Sequence, residues 1–262
     1  MMNALRIAAT GMQAQQTNVD VLSNNIANIA TTGFKRQRMA FNDLLYQNSI
    51  AVGAVTSDTG TLAPTGAQVG LGVSVGSVYR VLTQGNVEQT GNPLDMAIQG
   101  QGYFQVILPD GRTAYTRDGS FNMDNSGNLV TKEGYLVEPN IVIPADARDL
   151  TVSEAGVVSA KLGTDPNASE IGQLTLATFI NPGGLEAMGG NYLLETETSG
   201  TPVLVNPTED GGGSILHQYL ETSNVDPIQE ITKLITAQRS YELNSRVIST
   251  ADEMLSSVNQ IR

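Results

Sequence analysis

The two ends of the chain carry its most regular pattern of apolar and polar positions. Near the N-terminus, a strict alternation of three and four residues over residues 3–30 defines one seam. Its positions are Leu5, Ala8, Met12, Gln15, Val19, Leu22, Ile26 and Ile29. This spacing is typical of a coiled-coil heptad. Gly33 follows the pattern as a helix terminator. We therefore predict one long N-terminal helix.

A second long helix is predicted from about Asp226 to the end of the chain. Asp226 as N-cap, Pro227 at the first helical position and Gln229 three residues after the cap form a helix start signal. Two rows with seven-residue spacing follow: Leu234, Tyr241, Ile248 and Leu255, and Ala237, Asn244, Ala251 and Val258. The polar Asn244 inside this seam is expected to set register. An ordinary amphipathic helix packed on a central domain gives the same pattern, so that alternative stays open.

The middle of the chain lacks helical periodicity. Residues 42–72 are rich in Gly, Ala, Thr and Ser and are predicted to be extended, with room for a hairpin. From Val73 to about Glu221, short β-type runs alternate with turn sequences such as Pro109-Asp110-Gly111. We predict an α+β fold. Its parts are a terminal helical coiled-coil domain (1–34 and 224–262), an extended or hairpin linking segment (35–72) and a central mainly-β domain (73–223).

Charge is sparse and acidic. Only 15% of the residues are charged, and 26 Asp and Glu against 14 Lys and Arg give a net charge of −12. The one basic cluster, Lys35, Arg36 and Arg38, is too small for a nucleic-acid surface. An acidic chain is also disfavoured at an anionic membrane. A surface with so few charges is expected to meet other protein.

The N-terminal helix carries uncharged polar residues where a solvated helix usually has Lys and Glu. Between Ile7 and Phe34 the only charged residue is Asp20. Amides and hydroxyls can be buried against neighbours at a lower desolvation cost than charges. A Gln- and Asn-rich helix at a surface remains the alternative. One apolar seam does not offset the entropy of ordering such a helix. We expect the termini to fold when subunits stack, as in an open helical filament.

These patterns identify the residues of the expected assembly surfaces. In the N-terminal segment they are Leu5, Met12, Val19, Leu22, Asn25, Ile26, Asn28, Ile29, Gly33 and Phe34. In the C-terminal helix they are Ile231, Leu234, Tyr241, Asn244, Ile248, Leu255 and Val258. Arg239, Arg246 and Glu253 recur every seven residues opposite the seam. In a tube this stripe would face the lumen, and otherwise it is an ordinary solvated face.

No residue pattern points to catalysis, so we expect no enzyme activity, no cofactor, no metal and no small-molecule ligand. His217 is the only histidine and there is no cysteine, which excludes His clusters and Cys-type zinc sites. Residues 124–128 lack the sixth-position Gly and closing Glu of a calcium loop and are interpreted as a hairpin turn. The enzyme alternative is a peptidoglycan hydrolase using Asp118 and Asp124. A secreted adhesin that trimerises through its helices is another alternative.

Four stretches resemble one protein family. SNNIANIATTGFKR (23–36) and QRSYELNSRVISTADEML (238–255) resemble the N- and C-terminal signatures of bacterial flagellar rod and hook proteins. NPLDMAIQGQGYFQV (92–106) and YTRDGSFNMDNSGNLVTKEGYLV (115–137) are similar to the β-domain motifs of that family. The resemblance implies a structural subunit that polymerises helically. It also implies export through the flagellar type III apparatus without a cleaved signal peptide. This expectation agrees with the first residues of the sequence, which lack the basic region and continuous apolar core of a secretory signal.

Within the family, residues 179–200 and 219–231 are most similar to the members that build the distal rod. The implied function is a rigid hollow shaft that transmits torque from motor to hook and encloses the export channel. It would span the periplasm to the outer membrane. The implied partners are further copies of the chain, the proximal-rod and hook proteins, the peptidoglycan-ring and outer-membrane-ring bushings and the export apparatus. Residues 46–63 would supply stiffness. A proximal-rod or hook protein is the alternative within the family.

Overall fold

Two long helices stand at the ends of the chain, as predicted, with β-structure between them. The computed structural model describes residues 2–50, 65–163, 168–209 and 211–260. Helix α1 comprises Met2–Ala27 and helix α2 comprises Pro227–Gln260. The described residues form two compact units. The helical unit consists of residues 1–26, 37–79 and 226–262, and the β unit of residues 27–36 and 80–225. The α+β class is confirmed.

The helical unit also contains two short antiparallel ribbons. Strand β1 (Gln37–Asp43) pairs with β4 (Val73–Arg80), and β2 (Tyr46–Ile50) pairs with β3 (Ala67–Gly70). The segment predicted to be extended therefore contains a hairpin-like pairing. Residues 51–64, which make up most of the stretch expected to supply stiffness, lie outside the described residues.

Helix α1 ends three residues earlier than predicted. Residues 28–30 form a turn, in which the Thr31 amide donates to the Asn28 carbonyl at 3.2 Å and the Thr31 hydroxyl to the Asn28 side chain at 3.1 Å. Such local side-chain bonds compete with helix propagation. Asn28 and Ile29, predicted to be helical, therefore lie after the end of α1. Together with Gly33 and Phe34, the other predicted assembly residues of this segment, they belong to the β unit.

The predicted start of α2 is confirmed. The Asp226 carboxylate accepts hydrogen bonds from the backbone amides of Ile228 at 3.0 Å and Gln229 at 3.2 Å. The Gln229 side chain donates to the same carboxylate at 2.9 Å, and Pro227 occupies the first helical position. These bonds satisfy amides that would otherwise lack helical partners.

The two helices run antiparallel. Asn25 of α1 is bonded to Glu230 of α2, and a Cβ on Gly11 would lie 2.9 Å from the Asn244 amide nitrogen. Fourteen residues separate the two contacts on each helix, in opposite directions along the chain, so the helices stay in register over about 21 Å. The buried apolar residues of the two helices are mostly small. They are Ala8, Ala14, Leu22, Ala237 and Ala251.

The β unit is built around a seven-stranded antiparallel sheet. Its strand order is β16-β17-β8-β7-β11-β10-β9. The strands are β7 (Phe104–Ile107), β8 (Thr113–Thr116), β9 (Asn122–Met123), β10 (Leu129–Val130), β11 (Leu136–Glu138), β16 (Glu186–Gly189) and β17 (Tyr192–Leu194). Turn residues separate neighbouring strands, as the sequence predicts; Gly111 has a φ of 82° between β7 and β8.

Smaller sheets complete the β unit. A three-stranded sheet contains β12 (Ala147–Val152), β13 (Val157–Leu162) and β14 (Ala168–Gln173). Two-stranded pairs are β5 (Val87–Gln89) with β20 (Tyr219–Glu221), β6 (Met96–Gln99) with β19 (Ser214–His217), and β15 (Leu176–Thr178) with β18 (Val203–Val205). Residues Pro182–Gly184 form one turn of 3₁₀ helix.

The apolar core of the chain lies in the β unit. Phe104 and Phe121 meet edge to face at 5.1 Å, surrounded by buried aliphatic residues from most of the sheets. A second cluster contains Tyr103, Tyr115, Ala177 and Leu185. Large buried side chains are concentrated here, whereas the helix pair buries mainly alanine. Burial of apolar area therefore stabilises the β unit far more than the helical unit.

Candidate assembly surfaces

The predicted assembly residues of α1 lie on a partly covered face. Leu22 and Asn25 are buried, and Leu5, Met12, Val19 and Ile26 are half-buried. A half-buried stripe means that neither α2 nor the ribbons of the helical unit cover these side chains fully.

On α2 the predicted assembly residues differ in how exposed their side chains are. Leu234, Asn244, Ile248 and Leu255 are half-buried, whereas Ile231 and Tyr241 are 47% and 43% exposed. Tyr241 lines a cleft of about 540 Å³ between the helices together with Gln16, Val19, Gln238 and Glu242. The side chain of Val258 lies outside the described part of the structure. The seam faces α1 but leaves some of its large side chains accessible.

A second apolar surface on α2 escaped the sequence analysis. We call it the outer apolar surface. It consists of large side chains away from the seam, of which Ile228 is 77% and Leu243 62% exposed. The other members, 45–47% exposed, are Ile235, Val247 and Met254. In the sequence these residues are large apolar side chains outside the two seven-residue rows. They were missed because the prediction gave a role only to the residues of the seam.

The predicted charged stripe is exposed. Arg239, Arg246 and Glu253 all have exposed side chains. Exposure is expected both for a lumen-facing stripe and for an ordinary solvated face, so the lumen assignment remains a prediction.

Asn25 and Glu230 fix the helix pair to the start of β1. The Asn25 side-chain amide donates to the Gln37 carbonyl at 2.8 Å and to Glu230 Oε2 at 3.0 Å, and its carbonyl accepts from the Gln37 amide at 2.8 Å. Lys233 Nζ donates to Glu230 Oε1 at 2.6 Å. Asn25 and Glu230 are both buried. Such a satisfied buried network specifies one arrangement of the helices, because any shift would leave polar groups unpaired.

A buried ion cluster, which we call the Glu221 cluster, lies in the β unit. The fully buried Glu221 carboxylate pairs with Lys35, accepts from Arg117 Nη1 at 3.4 Å and accepts from the Gly85 amide at 2.9 Å. Arg117 also donates to the Gly100 carbonyl at 2.6 Å. Burial lowers the pKa of Lys35, and the neighbouring Glu221 carboxylate opposes that shift. One carboxylate thus compensates two buried cations.

Residues that follow α1 and precede α2 meet beside this cluster. The Asn224 side chain accepts from the Arg36 amide at 2.7 Å and donates to the Val81 carbonyl at 2.8 Å. The Gly33 amide donates to the Glu221 carbonyl at 2.8 Å. Gly33 has a φ of 68°, and a Cβ there would lie 2.8 Å from the Asp118 amide nitrogen. Within the β unit, the segment that follows α1 is therefore hydrogen-bonded to the segment that precedes α2.

The carboxylates of the two candidate catalytic aspartates accept hydrogen bonds within local turns. The Asp118 carboxylate accepts from the Ser120 amide at 3.1 Å and hydroxyl at 2.6 Å, and Asp124 accepts from the Asn125 amide at 2.6 Å. Among the described residues no group of three or more His, Cys, Asp or Glu is placed to hold a metal ion. No described helix has the length and apolar character needed to cross a membrane.

Three family models match successive parts of the chain. Residues 5–35 match the model "Flagella basal body rod protein", residues 97–160 the "Flagellar hook protein FlgE/F/G D1 domain" and residues 216–261 the "Flagellar basal body rod FlgEFG protein C-terminal". The first and last matches contain Asn25 with Lys35 and Glu221 with Glu230. These two matched regions therefore contain part of the buried polar network and part of the Glu221 cluster.

Full-length relatives agree with these models. The chain is 55% identical to the flagellar basal-body rod protein FlgG of Caulobacter vibrioides over 100% of both chains. It is 52% identical to FlgG of Agrobacterium fabrum over 99% of both, and 40% identical to FlgG of Bacillus subtilis over 97% of both. The chain belongs to the FlgG family of flagellar basal-body rod proteins and is a structural subunit of the flagellar distal rod.

Proposed function

We propose that the chain polymerises through its terminal helices into the rigid, hollow shaft of the distal rod. The shaft transmits torque from motor to hook and encloses the export channel. It spans the periplasm to the outer membrane, and its subunits are exported through the type III apparatus without a cleaved signal peptide. Its role is mechanical and not enzymatic.

The outer apolar surface of α2 is the observation that carries this proposal. Exposed Ile228 and Leu243 belong to a helix whose other face already lies against α1. A helix with apolar residues on more than one face requires more than one protein neighbour. Copies of the chain supply those neighbours when helix pairs stack side by side in coiled-coil fashion. The termini become fully ordered only then.

The stripe of Arg239, Arg246 and Glu253 borders the outer apolar surface on the same side of α2. We assign it to the lumen because charged side chains keep their water there, whereas the adjoining Leu243, Val247 and Met254 are covered by neighbouring copies. The proposed partners at the two ends of the shaft are the proximal-rod and hook proteins. The bushings of the peptidoglycan and outer-membrane rings surround it. Among the alternatives, a closed adhesin trimer needs one apolar seam for each helix, and the outer apolar surface of α2 disfavours it.

The test is Leu243→Glu in a strain that lacks the native chain. A charge at this exposed site leaves the monomer folded but must be desolvated when copies pack. Electron microscopy of isolated basal bodies is expected to show truncated shafts without hooks, and swimming is expected to be lost. Circular dichroism of the purified variant checks that the monomer keeps its fold.

Ser256→Glu is the matched control, because Ser256 is also exposed on α2 but carries no apolar side chain. Shafts of normal length are expected for this variant. If Leu243→Glu also gave shafts of normal length, the outer surface of α2 would not be an assembly contact.

A further inference from the structure

An uncharged apolar wedge lies on the surface of the β unit and contains none of the residues assigned to assembly above. It is formed by the β15–β18 ribbon and by Ile180, which lies two residues after the end of β15. Its exposed members are Ile180, Val203 and Leu204. Ile180 is 90% exposed, Leu204 58% and Val203 51%. Leu204 and Val203 are successive residues of one strand and so point to opposite sides of the ribbon. The wedge is therefore apolar on both sides.

The wedge is held in place by packing and hydrogen bonds. Phe179, next to Ile180, packs edge to face against Tyr115 at 4.8 Å and against Tyr103 at 6.0 Å. The Thr178 hydroxyl donates to the Val203 carbonyl at 3.1 Å, and the Asn181 side chain donates to the Thr198 carbonyl at 3.1 Å. With both neighbours of Ile180 fixed, its exposure is a defined feature of the fold.

Strand β18 is poorly suited to pairing with another strand. It has only three residues, and Pro202 and Pro207 flank it. Short strands and prolines at a sheet edge block strand addition. A partner would therefore contact the wedge through side chains. A cleft of about 300 Å³ lies beside Ile180; Phe179, Leu82 and Pro182 line it together with Gln101 and Arg117, so it offers a partner both apolar and polar contacts.

The charge distribution indicates which partner fits. The chain has a net charge of −12, so two copies carry charge of the same sign and repel one another overall. Residues 171–185 and 198–208, which contain the wedge, include no Asp, Glu, Lys or Arg. Contact between two like-charged copies is least opposed where charge is absent, and depletion of charge is typical of interface cores.

We propose that this wedge is a contact between the β units of neighbouring copies of the chain. The inference rests on the proposed polymerisation and adds a second contact to the helical one. Because it belongs to the β unit, this contact couples neighbouring copies through residues other than those of the terminal helices and so resists twisting of one copy against the next.

The chain has no cysteine, so Ile180→Cys introduces a single thiol whose accessibility can be followed. Maleimide labelling is compared between the purified monomer and isolated basal bodies. We expect at least about a tenfold slower reaction in the shaft. Asn125→Cys, at an exposed turn of the same unit, is the control and is expected to react equally in both.

A small diazirine amino acid at position 180 then identifies the neighbour. Irradiated basal bodies are expected to yield a cross-link between two copies of the chain. A cross-link to a different protein, such as a bushing, would overturn the inference. So would labelling at the monomer rate in full-length shafts. In both cases the shafts themselves would still support the proposed polymerisation, which the Leu243→Glu test addresses separately.

Discussion

At the residue scale, substitution of Glu221 has the largest predicted effect on the free energy of unfolding. Glu221→Gln keeps the shape but removes the negative charge opposite Lys35 and Arg117. Removing one partner of a buried ion pair destabilises by about 3–5 kcal/mol because uncompensated charge remains buried. We expect a loss of this order in the free energy of unfolding of the monomer, measured by urea denaturation.

Glu88→Gln is the control for this prediction. Glu88 lies on β5, opposite Leu220 on the neighbouring strand, and its side chain is exposed. Surface substitutions of this kind usually change stability by less than about 0.5 kcal/mol. Equal effects of the two substitutions would mean that the Glu221 carboxylate does not compensate the two cations.

The sequence did not indicate the environment of Lys35. Lys35, Arg36 and Arg38 form the one basic cluster in the sequence, whereas the Lys35 side chain is buried against Glu221, 186 residues away. Similarly, Asn25 was identified as an assembly residue, but its bond to Glu230 could not be anticipated. A polar residue in a helix pattern has many possible partners, and only the three-dimensional fold selects one.

At the scale of elements, local signals were sufficient where the interactions are local. The start of α2 was predicted to the residue because its capping bonds span two or three residues. The end of α1 was misplaced because apolar spacing continues through Ile26 and Ile29 while Asn28 and Thr31 form a turn. Short strands were predicted as β-type runs, but their pairing order depends on contacts far apart in the chain.

The cap of α2 gives a prediction at this scale. Asp226→Ala removes the acceptor for the Ile228 and Gln229 amides and is expected to destabilise the helix start by about 0.5–2 kcal/mol. Hydrogen exchange at those two amides should become faster in the monomer. Asp226→Ser, which keeps an acceptor, should restore most of the protection.

Asp252→Ala serves as a control in the same helix, because Asp252 is an exposed residue far from the helix start. Exchange at Ile228 and Gln229 is expected to be unchanged in this variant. Faster exchange in both variants would indicate general fraying of α2 and no specific contribution from the cap.

At the scale of the whole molecule, the two units differ in how much apolar surface they bury. The β unit contains buried Phe104, Phe121 and many aliphatic residues, whereas the helix pair buries mostly alanine and leaves the outer surface of α2 open. Local stability follows buried apolar contact, so the helices should open more readily than the β unit in the monomer. Neighbouring subunits in the shaft would remove that difference.

Trypsin makes this difference measurable, since cleavage needs local opening as well as an exposed basic side chain. Arg246 on α2 and Lys161 on β13 are both exposed, but Lys161 belongs to the middle strand of its sheet. In the monomer we expect cleavage after Arg246 at least about tenfold faster than after Lys161. In isolated shafts cleavage after Arg246 should be suppressed, because packed neighbours prevent the helix from opening. Equal rates at the two sites in the monomer would mean that the helix pair is stable alone, and the outer apolar surface would then need no neighbour to hold α2 folded.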